Sequence, residues 1–458
     1  MTDDLFDTFD TVSSKQWKQK IQFDLKGADY NDALIWQTNE DISVKPFYHA
    51  DDLDTHTEIS NTRATQWKIC QTIFVHDVKK SNLKALDVIE RGAESIKFTI
   101  PTEDISIENL VQGINTEKTS LYFELQFLSI TFVEKLYALL PKAKINTDPI
   151  GHLAKTGNWY CNLNDDFNKL ESIATQTGLL SVNTSLYQNA GATMVQQLAY
   201  ALAHANEYLN HLNNSVIPRK DMTWQFLKIN FQVAIGTNYF FEIAKLRALR
   251  LLWNTLASEY GIYNDCYIFA TPTKRNKTLY DYNTNILRTT TECMSAILGG
   301  ANTISNLSYD AVYHKDNEFG ERIARNQLLI LKHESYFDKV NNPADGTYYI
   351  ENLTSQLAEK ALELFKNIEH NGGFLKQLKD GTIQRKIKQN LLKEQQHFDK
   401  GEEILLGTNM HPNSNDKMKD DIEHYPFVKI KHRKTLIEPI IEKRLAEDLE
   451  QKRLKNEL

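Results

Sequence analysis

CYIFATPTKRNKTLYDYNTNILRTTTECMSAILGGANTISNLS, residues 266–308, is the stretch that decides the fold. An apolar run rich in β-branched and aromatic residues (266–273) leads into a polar loop, then a helix-period segment, then a second short run (302–308). A helix between two strands brings the chain back to the end of the sheet where the first strand began. The two runs are therefore expected to be parallel strands. The stretch therefore predicts one strand–helix–strand unit of a parallel sheet.

The same alternation extends over most of the chain from residue 67 onward. Runs that predict strands occur at 67–75, 95–100, 121–128, 144–148, 179–185, 226–236, 266–273 and 302–308. Helix-period segments such as NLKALDVIERGAESI and TMVQQLAYALAHANEYLNHL lie between them. Eight strands alternating with helices is the count of an α/β fold of the (β/α)8 TIM-type barrel class, although a doubly wound sheet also alternates. No GxGxxG or GxxxxGK[ST] follows any of these strands, which disfavours a dinucleotide or P-loop site.

An N-terminal arm precedes the predicted barrel. A short amphipathic helix around Trp17–Leu25 is followed by the extended run ISVKPFYHADDL, in which Pro46 excludes the interior of a helix. The arm is too short to have a core of its own, so its large apolar side chains are expected to pack on the barrel or on a partner. These side chains are Trp17, Trp36, Phe47 and Tyr48.

A helical extension is predicted after the barrel. The amphipathic segment 353–381 is expected to stop at Gly372–Gly373 and to restart at Phe374, because glycine ends helices. The tail EPIIEKRLAEDLEQKRLKNEL (438–458) predicts a further charged helix. The expected organisation is an arm at 1–60, a barrel at 61–370 and a helical extension at 371–458.

Composition and charge exclude several classes of protein. The 458 residues carry 53 basic and 60 acidic side chains, a net charge of −7 without a basic patch, so nucleic acid is not an expected partner. No apolar run approaches the ~20 residues that span a bilayer, and the acidic N-terminus is unlike a signal peptide, so we expect a cytoplasmic protein without a membrane partner. Metal-ligand spacing is absent among the four cysteines and at His204, His211, His314 and His333, so we expect no metal site.

Five blocks of the sequence closely resemble the methylmalonyl-CoA mutase family. They are QWKQKIQFDLKGADYNDALIWQTNEDISVKPFY (16–48), YQNAGATMVQQLAYALAHANEYL (187–209), AIGTNYFFEIAKLRALRLLW (234–253), NILRTTTECMSAILGGANTISNLSYD (285–310) and EFGERIARNQLLILKHESYFDKVNNPADGTYYIENLTSQLAEKALELF (318–365). Members of this family are adenosylcobalamin-dependent enzymes that interconvert methylmalonyl-CoA and succinyl-CoA. The resemblance covers most of the chain and implies the same barrel.

The resemblance also implies where cofactor and substrate bind in a catalytic subunit. There the barrel binds the CoA ester along its axis, and a separate C-terminal domain holds the cobalamin through a DxHxxG motif. This sequence contains no DxHxxG, and about 50 residues follow EILLGTN (403–409), fewer than the ~100 of an ordinary α/β domain. We therefore expect no cobalamin-binding domain, no cofactor bound by this chain, and adenosylcobalamin in a partner subunit.

Residue by residue, the resemblance implies that the catalytic groups are replaced. The family's W-x-I-R-Q-Y is WKICQT (67–72) here, so that Thr72 stands where the family has a substrate-contacting tyrosine. Phe269 stands where the family has a histidine that reaches the thioester carbonyl. Gln188 and Arg288 match family residues that bind the substrate and the CoA. We expect no catalytic residue, with Gln188 and Arg288 as vestigial substrate-binding candidates that can equally have structural roles.

Three functions fit these observations. The first is a non-catalytic small (beta) subunit of a heterodimeric mutase, which stabilises a catalytic large subunit. The second is an active acyl-CoA mutase barrel that uses a cobalamin domain on a separate chain, and Phe269 disfavours it. The third is a module that binds an acyl-CoA ester through Gln188 and Arg288. The sequence favours the first, a pseudoenzyme within an isomerase complex.

Overall fold

The computed structural model of the chain describes residues 10–53, 62–214, 224–429 and 433–457. The strands in these ranges are β1 (Trp36–Gln37), β2 (Ser43–Val44), β3 (Lys68–Phe74), β4 (Ser95–Ile100), β5 (Ser120–Leu125), β6 (Lys144–Asn146), β7 (Leu179–Asn183), β8 (Lys228–Ile235), β9 (Cys266–Pro272) and β10 (Thr303–Ile304). The α-helices of the first half are α1 (Ser14–Asp24), α2 (Tyr30–Leu34), α3 (Val78–Glu90), α4 (Ile107–Leu110), α5 (Ile130–Leu139), α6 (Pro149–Thr156), α7 (Leu163–Thr177), α8 (Ser185–Asn189) and α9 (Met194–Asn213). Those of the second half are α10 (Tyr239–Tyr260), α11 (Thr284–Leu298), α12 (Glu318–His333), α13 (Tyr348–His370), α14 (Phe374–Lys379), α15 (Thr382–Asp399) and α16 (Glu447–Lys455).

Strands β3 to β10 form one parallel sheet that curls into a barrel. The order of neighbouring strands is β6-β5-β4-β3-β10-β9-β8-β7, so the last barrel strand in sequence pairs with the first. At the seam between β6 and β7, the Asn183 backbone N–H donates a hydrogen bond to Asp148 Oδ2 at 2.8 Å. Each of the eight predicted strands is present, and the prediction of a (β/α)8 TIM-type barrel is confirmed.

The apolar core lies between the strands and the helices that surround them. Successive side chains of a strand face opposite sides, so every second residue points outward into this layer. Phe98 of β4 meets Phe123 of β5 with ring centroids 5.7 Å apart, and Phe231 of β8 meets Trp253 of α10 edge-on at 5.6 Å. The remaining strand residues face the barrel axis, and most of them are polar.

The N-terminal arm packs against the barrel through polar and aromatic contacts. The predicted helix is present as α1, which begins behind a capping box formed by Ser13 and Gln16. In the loop between β1 and β2, the Glu40 carboxylate accepts the backbone N–H groups of Met194 and Val195, each at 2.9 Å, at the start of α9. The arm is thereby attached to the first turn of a barrel helix. Its predicted boundary at residue 60 lies outside the described residues.

The break between α13 and α14 falls where the sequence predicts it. Helix α13 ends at His370, and α14 begins at Phe374. Gly372 and Gly373 have φ angles of 98° and 86°, a left-handed region that residues with a Cβ rarely adopt. No helix in the described ranges is long and apolar enough to cross a membrane.

The prediction of one helix over the whole tail is wrong for residues 438–446. Residues 433–446, here called the closing strap, run over the loops at the carboxyl end of the barrel, and α16 begins only at Glu447. The backbone N–H groups of Ile440 and Leu445 donate to Ala154 O at 2.7 Å and Arg275 O at 2.8 Å. Hydrogen bonds to the barrel thus replace those of a helix, and Pro439 has no N–H to donate.

Candidate functional site

The middle of the barrel is filled by aromatic rings. Tyr122 of β5, Tyr267 and Phe269 of β9 and Cys70 of β3 form one cluster, in which Tyr122 and Phe269 meet edge-on with centroids 5.2 Å apart. The side chain of Phe269 is only 1% exposed, and that of Tyr122 is fully buried. The rings occupy the space through which a ligand would have to pass along the axis.

Hydroxyl groups join these rings to the neighbouring strand. The Tyr122 and Tyr267 hydroxyls lie 2.7 Å apart, and each contacts Thr303 Oγ1 of β10, at 2.9 and 2.7 Å. Burial raises the pKa of both tyrosines, so their hydroxyl groups stay protonated. A closed triangle of three hydroxyl groups therefore fixes the rings across the barrel.

An ion pair lies above the rings, toward the carboxyl end of the strands. Lys97 of β4 pairs with Glu124 of β5, and its Nζ donates to Gln232 Oε1 of β8 at 2.8 Å. Burial alone would raise the pKa of Glu124, but the charge and hydrogen bond of Lys97, together with the more distant charges of Lys155 and Lys274, outweigh burial and lower the pKa. Lys97 Nζ also lies 4.9 Å from the centroid of the Phe269 ring, a cation–π contact. Phe269 is thus held by a charge above and a ring beside it.

The two positions expected to have lost catalytic groups make structural contacts. Phe269 belongs to the ring cluster and has no group that could donate to a carbonyl oxygen. Thr72 lies near the carboxyl end of β3, where its Oγ1 is 2.8 Å from Ser305 Oγ. Beside it, burial raises the pKa of the Cys70 thiol to about 12, which keeps the sulfur protonated.

One side of the axis carries polar atoms without partners. Asn230 Nδ2 of β8 donates to Asn146 Oδ1 of β6 at 2.8 Å. Asn146 Nδ2, Asn230 Oδ1 and Ser181 Oγ of β7 are buried and make no hydrogen bond within the described part of the chain. Three such atoms on adjacent strands are the partners that an internal water requires. The sequence analysis missed these residues, although their inward register follows from the alternation of each strand.

A cleft of about 670 Å³ opens at the carboxyl end of the barrel, the face on which TIM-barrel enzymes carry their active sites. The arm, the ends of β8 and β9 and helix α15 line it, and Gln188 is one of its lining residues. The Gln188 amide lies 3.5 Å from Glu242 Oε1, and Glu242 pairs with Lys245 at 2.6 Å. Arg275 reaches the same cleft and pairs with Glu394 of α15. Charged side chains line the cleft, and several of them, including Glu242, Arg275 and Glu394, form ion pairs.

Arg288 does not line this cleft. It lies on α11, where its guanidinium donates to Thr278 Oγ1 at 2.9 Å, to Asn285 Oδ1 at 2.8 Å and to the Leu406 carbonyl at 2.7 Å. These three acceptors connect the loop after β9 to the C-terminal extension. The structure therefore does not bring the two predicted substrate-binding residues together in one site.

The loop after β9 carries a second set of buried charges. Lys277 Nζ donates to both carboxylate oxygens of Glu292, at 2.9 and 2.8 Å, and Arg444 of the closing strap pairs with Glu450 at 2.6 Å. The Arg444 guanidinium also donates to the Lys277 carbonyl at 2.9 Å. The closing strap is thus joined to the carboxyl face by charged contacts as well as by its backbone.

His204 is a buried histidine with a complete set of partners. Its Nε2 lies 2.9 Å from Asp148 Oδ1, and its Nδ1 lies 2.9 Å from the Tyr187 hydroxyl. Asp148 follows β6, and although burial would raise its pKa, the His204 contact lowers it. No group of three or more His, Cys, Asp or Glu side chains in the described ranges could hold a metal ion.

Comparison with known proteins agrees with the resemblance. The family model described as methylmalonyl-CoA mutase matches residues 142–455. The methylmalonyl-CoA mutase small subunit of Porphyromonas gingivalis is 34% identical, and the match covers 91% of this chain and 72% of that protein. The methylmalonyl-CoA mutase of Rhizobium meliloti is 33% identical over 68% of this chain and 42% of that protein. The small subunit of Streptomyces virginiae is 25% identical over 88% and 71%. This chain therefore belongs to the methylmalonyl-CoA mutase family.

Proposed function

We propose that this chain is the non-catalytic small subunit of a heterodimeric methylmalonyl-CoA mutase. In this proposal the complex interconverts methylmalonyl-CoA and succinyl-CoA, and a large subunit carries both the active site and the adenosylcobalamin. The small subunit stabilises its partner by binding the folded state, an effect that grows with the concentration of free small subunit. Relatives named as small subunits, in two organisms, support this assignment.

The observation that carries the proposal is the ring layer in the barrel. Tyr122, Tyr267 and Phe269 fill the axis along which the resemblance places the CoA ester. A phenyl ring at position 269 supplies no donor to a thioester oxygen, and one positioned donor contributes about 3–4 kcal/mol to transition-state stabilisation in other enzymes. The proposal places the cofactor in the partner because this sequence contains no DxHxxG motif.

The arm is the proposed contact surface for the large subunit. Trp17 and Trp36 are 50% and 51% exposed, and Phe23 is 79% exposed. Large aromatic side chains are enriched at protein interfaces and are unusual in this number on one short exposed segment. A barrel-sized partner that covers them would bury more than ~2,000 Å², the size of an obligate interface.

The experiment is a tagged pull-down of this chain from its native cells, with the mass and cobalamin absorbance of the recovered complex measured. We expect a near-equimolar complex with a longer chain that carries DxHxxG, and cobalamin bound only when that chain is present. Recovery of the chain alone, or as a homodimer, would contradict the small-subunit role. Recovery with a separate small cobalamin protein would favour instead an active barrel with a borrowed cofactor domain.

A second candidate function rests on the carboxyl-end cleft. Gln188 lines a cleft large enough for the acyl and thioester part of a CoA ester. If the chain binds such an ester, succinyl-CoA should raise its melting temperature, and Gln188→Ala should reduce that shift. Lys376→Met, an exposed change on α14 away from the cleft, is the matched control. An unchanged melting temperature at millimolar ester would exclude this function.

A further inference from the structure

Five arginines are buried in the part of the chain that the structure describes. A charged side chain is rarely buried unless it is paired, because taking a charge out of water costs free energy. Four of the five form ion pairs with carboxylates: Arg247, Arg250, Arg275 and Arg444. Arg325 of α12 is only 5% exposed, yet it forms no ion pair with any residue of the described ranges.

The guanidinium of Arg325 also lacks hydrogen-bond acceptors. Its Nη1 donates to Gln71 Oε1 of β3 at the long distance of 3.4 Å, and its Nε has no partner among the described residues. An arginine carries five N–H donors and stays protonated, so each donor that is buried without an acceptor costs free energy. The fold alone therefore leaves this group unsatisfied.

The carboxylates that could pair with Arg325 are held by other cations. Glu321 lies one turn earlier on α12, at the spacing of a helical ion pair, but it pairs with Lys84 of α3. Asp87 of α3 pairs with Arg91 at 2.8 Å. The charges of these two pairs cancel, so Arg325 is left as a surplus positive charge between the two helices.

Arg325 lines a groove of about 390 Å³ between α3 and α12. Leu83 and Val88 of α3 add apolar surface to its wall. Leu83, Asp316 and Glu318 are exposed lining residues, so the groove opens to solvent. The two exposed carboxylates would repel a second negative charge on a ligand, which favours a monoanion over a dianion.

We propose that this groove binds a small monocarboxylate, whose oxygens accept N–H groups of Arg325 and whose short apolar body lies against Leu83 and Val88. The planar guanidinium matches a carboxylate in shape, so that two parallel hydrogen bonds can form. The ligand supplies the counter-charge that the chain itself does not. This inference goes beyond the proposed function, because the groove lies between two outer helices and needs neither the barrel interior nor the large subunit.

The test follows butyrate binding to the full-length chain by saturation-transfer NMR at pH 7. We expect transfer to butyrate, weaker transfer to the dianion glutarate, and none to butanol, which lacks the carboxylate. Arg325→Met should weaken butyrate binding by at least about tenfold, since a hydrogen-bonded charge pair is lost. Arg322→Met removes an exposed arginine from the same helix and should bind butyrate as the wild type does. No transfer to butyrate in the wild type, or equal affinity in Arg325→Met, would overturn the proposal.

Melting temperatures distinguish an unsatisfied cation from one that the fold already accommodates. In chloride buffer, Arg325→Met should melt above the wild type, because it removes an unpaired buried charge. Butyrate at 50 mM should raise the melting temperature of the wild type by about 2 °C and leave that of Arg325→Met unchanged. A lower melting temperature for Arg325→Met in chloride would contradict the proposal.

Leu83→Glu is a second variant, which leaves Arg325 in place. The Leu83 side chain is 57% exposed, so the change should not impair folding. Its new carboxylate beside the groove should repel butyrate and weaken binding several-fold. Leu392→Glu, at a position 59% exposed on α15, is the matched control and should leave binding unchanged. Equal butyrate affinity in these two variants would show that the ligand does not lie in this groove, and the proposal would fail.

Discussion

Phe269 is packed from two sides inside the barrel. Its ring meets Tyr122 edge-on and lies under the Lys97 ammonium, and it is 1% exposed. Phe269→Ala would leave a cavity inside the barrel. The surrounding strands are held in place by the sheet and cannot move inward to fill it. We expect the free energy of unfolding to fall by about 3–5 kcal/mol, measured by urea titration.

Phe226→Ala is the matched control for this loss, because its ring is 57% exposed. That change should alter the free energy of unfolding by less than about 0.5 kcal/mol. If the two variants were equally stable, Phe269 would not be part of a packed layer, and the barrel axis would have to be open.

Glu369 gives the protein a pH-dependent stability. Burial and the nearby Glu207 charge raise the pKa of Glu369 to about 6. The Asn206 amide donates a hydrogen bond to the Glu369 carboxylate at 2.9 Å and partly opposes this rise. Because the carboxyl pKa is higher in the folded chain than in the unfolded chain, the folded state loses stability as the pH rises through these two pKa values. No stability is lost at a pH below the pKa of the unfolded chain. Glu369→Gln should therefore stabilise the chain at pH 7.5 by about 1 kcal/mol, with allowance for solvent screening, and have little effect at pH 4.

Urea titrations at the two pH values measure this difference. Glu363→Gln, on the exposed side of the same helix α13, removes the same charge and should show no such dependence. A Glu369→Gln variant that is equally stable to the wild type at both pH values would contradict a buried, repelled carboxylate.

At the scale of residues, the sequence predicts which single positions are unusual but not which side chains contact them in the fold. The resemblance drew attention to Thr72 and Phe269 because each stands in a motif. Nothing in the local pattern marks Tyr122 as a neighbour of Phe269, since the two rings come from β5 and β9, which are not adjacent strands. Tyr267 lies two residues before Phe269 on β9, so strand alternation already places these two rings on the same face. The same limit applies to Gln188 and Arg288: the resemblance implies that both bind one CoA ester, and the structure places only Gln188 in the cleft.

Among the elements, helix α9 depends on a carboxylate from outside its own segment. Glu40 of the arm accepts the N–H groups of Met194 and Val195 in addition to the helix's own cap, Thr193. Glu40→Ala leaves two N–H groups unpaired and frees the arm, so we expect a loss of about 1–3 kcal/mol in the free energy of unfolding. Hydrogen exchange at Met194 and Val195 should increase in the same variant.

Asp41→Asn is the control, because Asp41 is exposed and belongs to the same loop. It should leave both the stability and the exchange of the first turn of α9 unchanged. Unaltered hydrogen exchange in Glu40→Ala would mean that the Glu40 carboxylate stabilises neither the first turn of α9 nor the attachment of the arm.

Strands were predicted better than the tail because their signal is local. Most barrel strands have apolar residues at every second position, and a buried outer layer requires that pattern whatever the rest of the chain does. The closing strap has helix-forming residues, including Glu442, Lys443 and Arg444, yet it is extended because its N–H groups bond to loops more than 150 residues earlier. Hydrogen bonds to residues so far away in the sequence cannot be predicted from local composition.

At the scale of the whole molecule, the arm and the barrel together present an aromatic surface. Trp17 lies edge-on to Phe47 at 6.3 Å, and Trp36 to Phe241 at 5.9 Å, while each indole keeps half of its surface exposed. If the large subunit covers this surface, the double variant Trp17→Ala and Trp36→Ala should weaken the complex by at least about tenfold in Kd, since buried tryptophans dominate interface energies.

Surface plasmon resonance with the purified large subunit measures this Kd. Phe226→Ala, which removes an exposed aromatic from another part of the chain, should leave the Kd unchanged. An unchanged Kd in the double tryptophan variant would show that the arm is not the contact surface. It would leave the description of the barrel interior unaffected.

The closing strap also sets a sequence of events during synthesis. Its first residues leave the ribosome about 130 residues after the last barrel strand, which at ~5–20 residues per second is on the order of ten seconds later. For that interval the nascent barrel has all eight strands, while its carboxyl face lacks the charged segment that later covers it. In this window the backbone carbonyls of Ala154, Asn189 and Arg275 lack the strap N–H groups that later bond to them, and a mutation that slows translation of the segment before the strap would extend it.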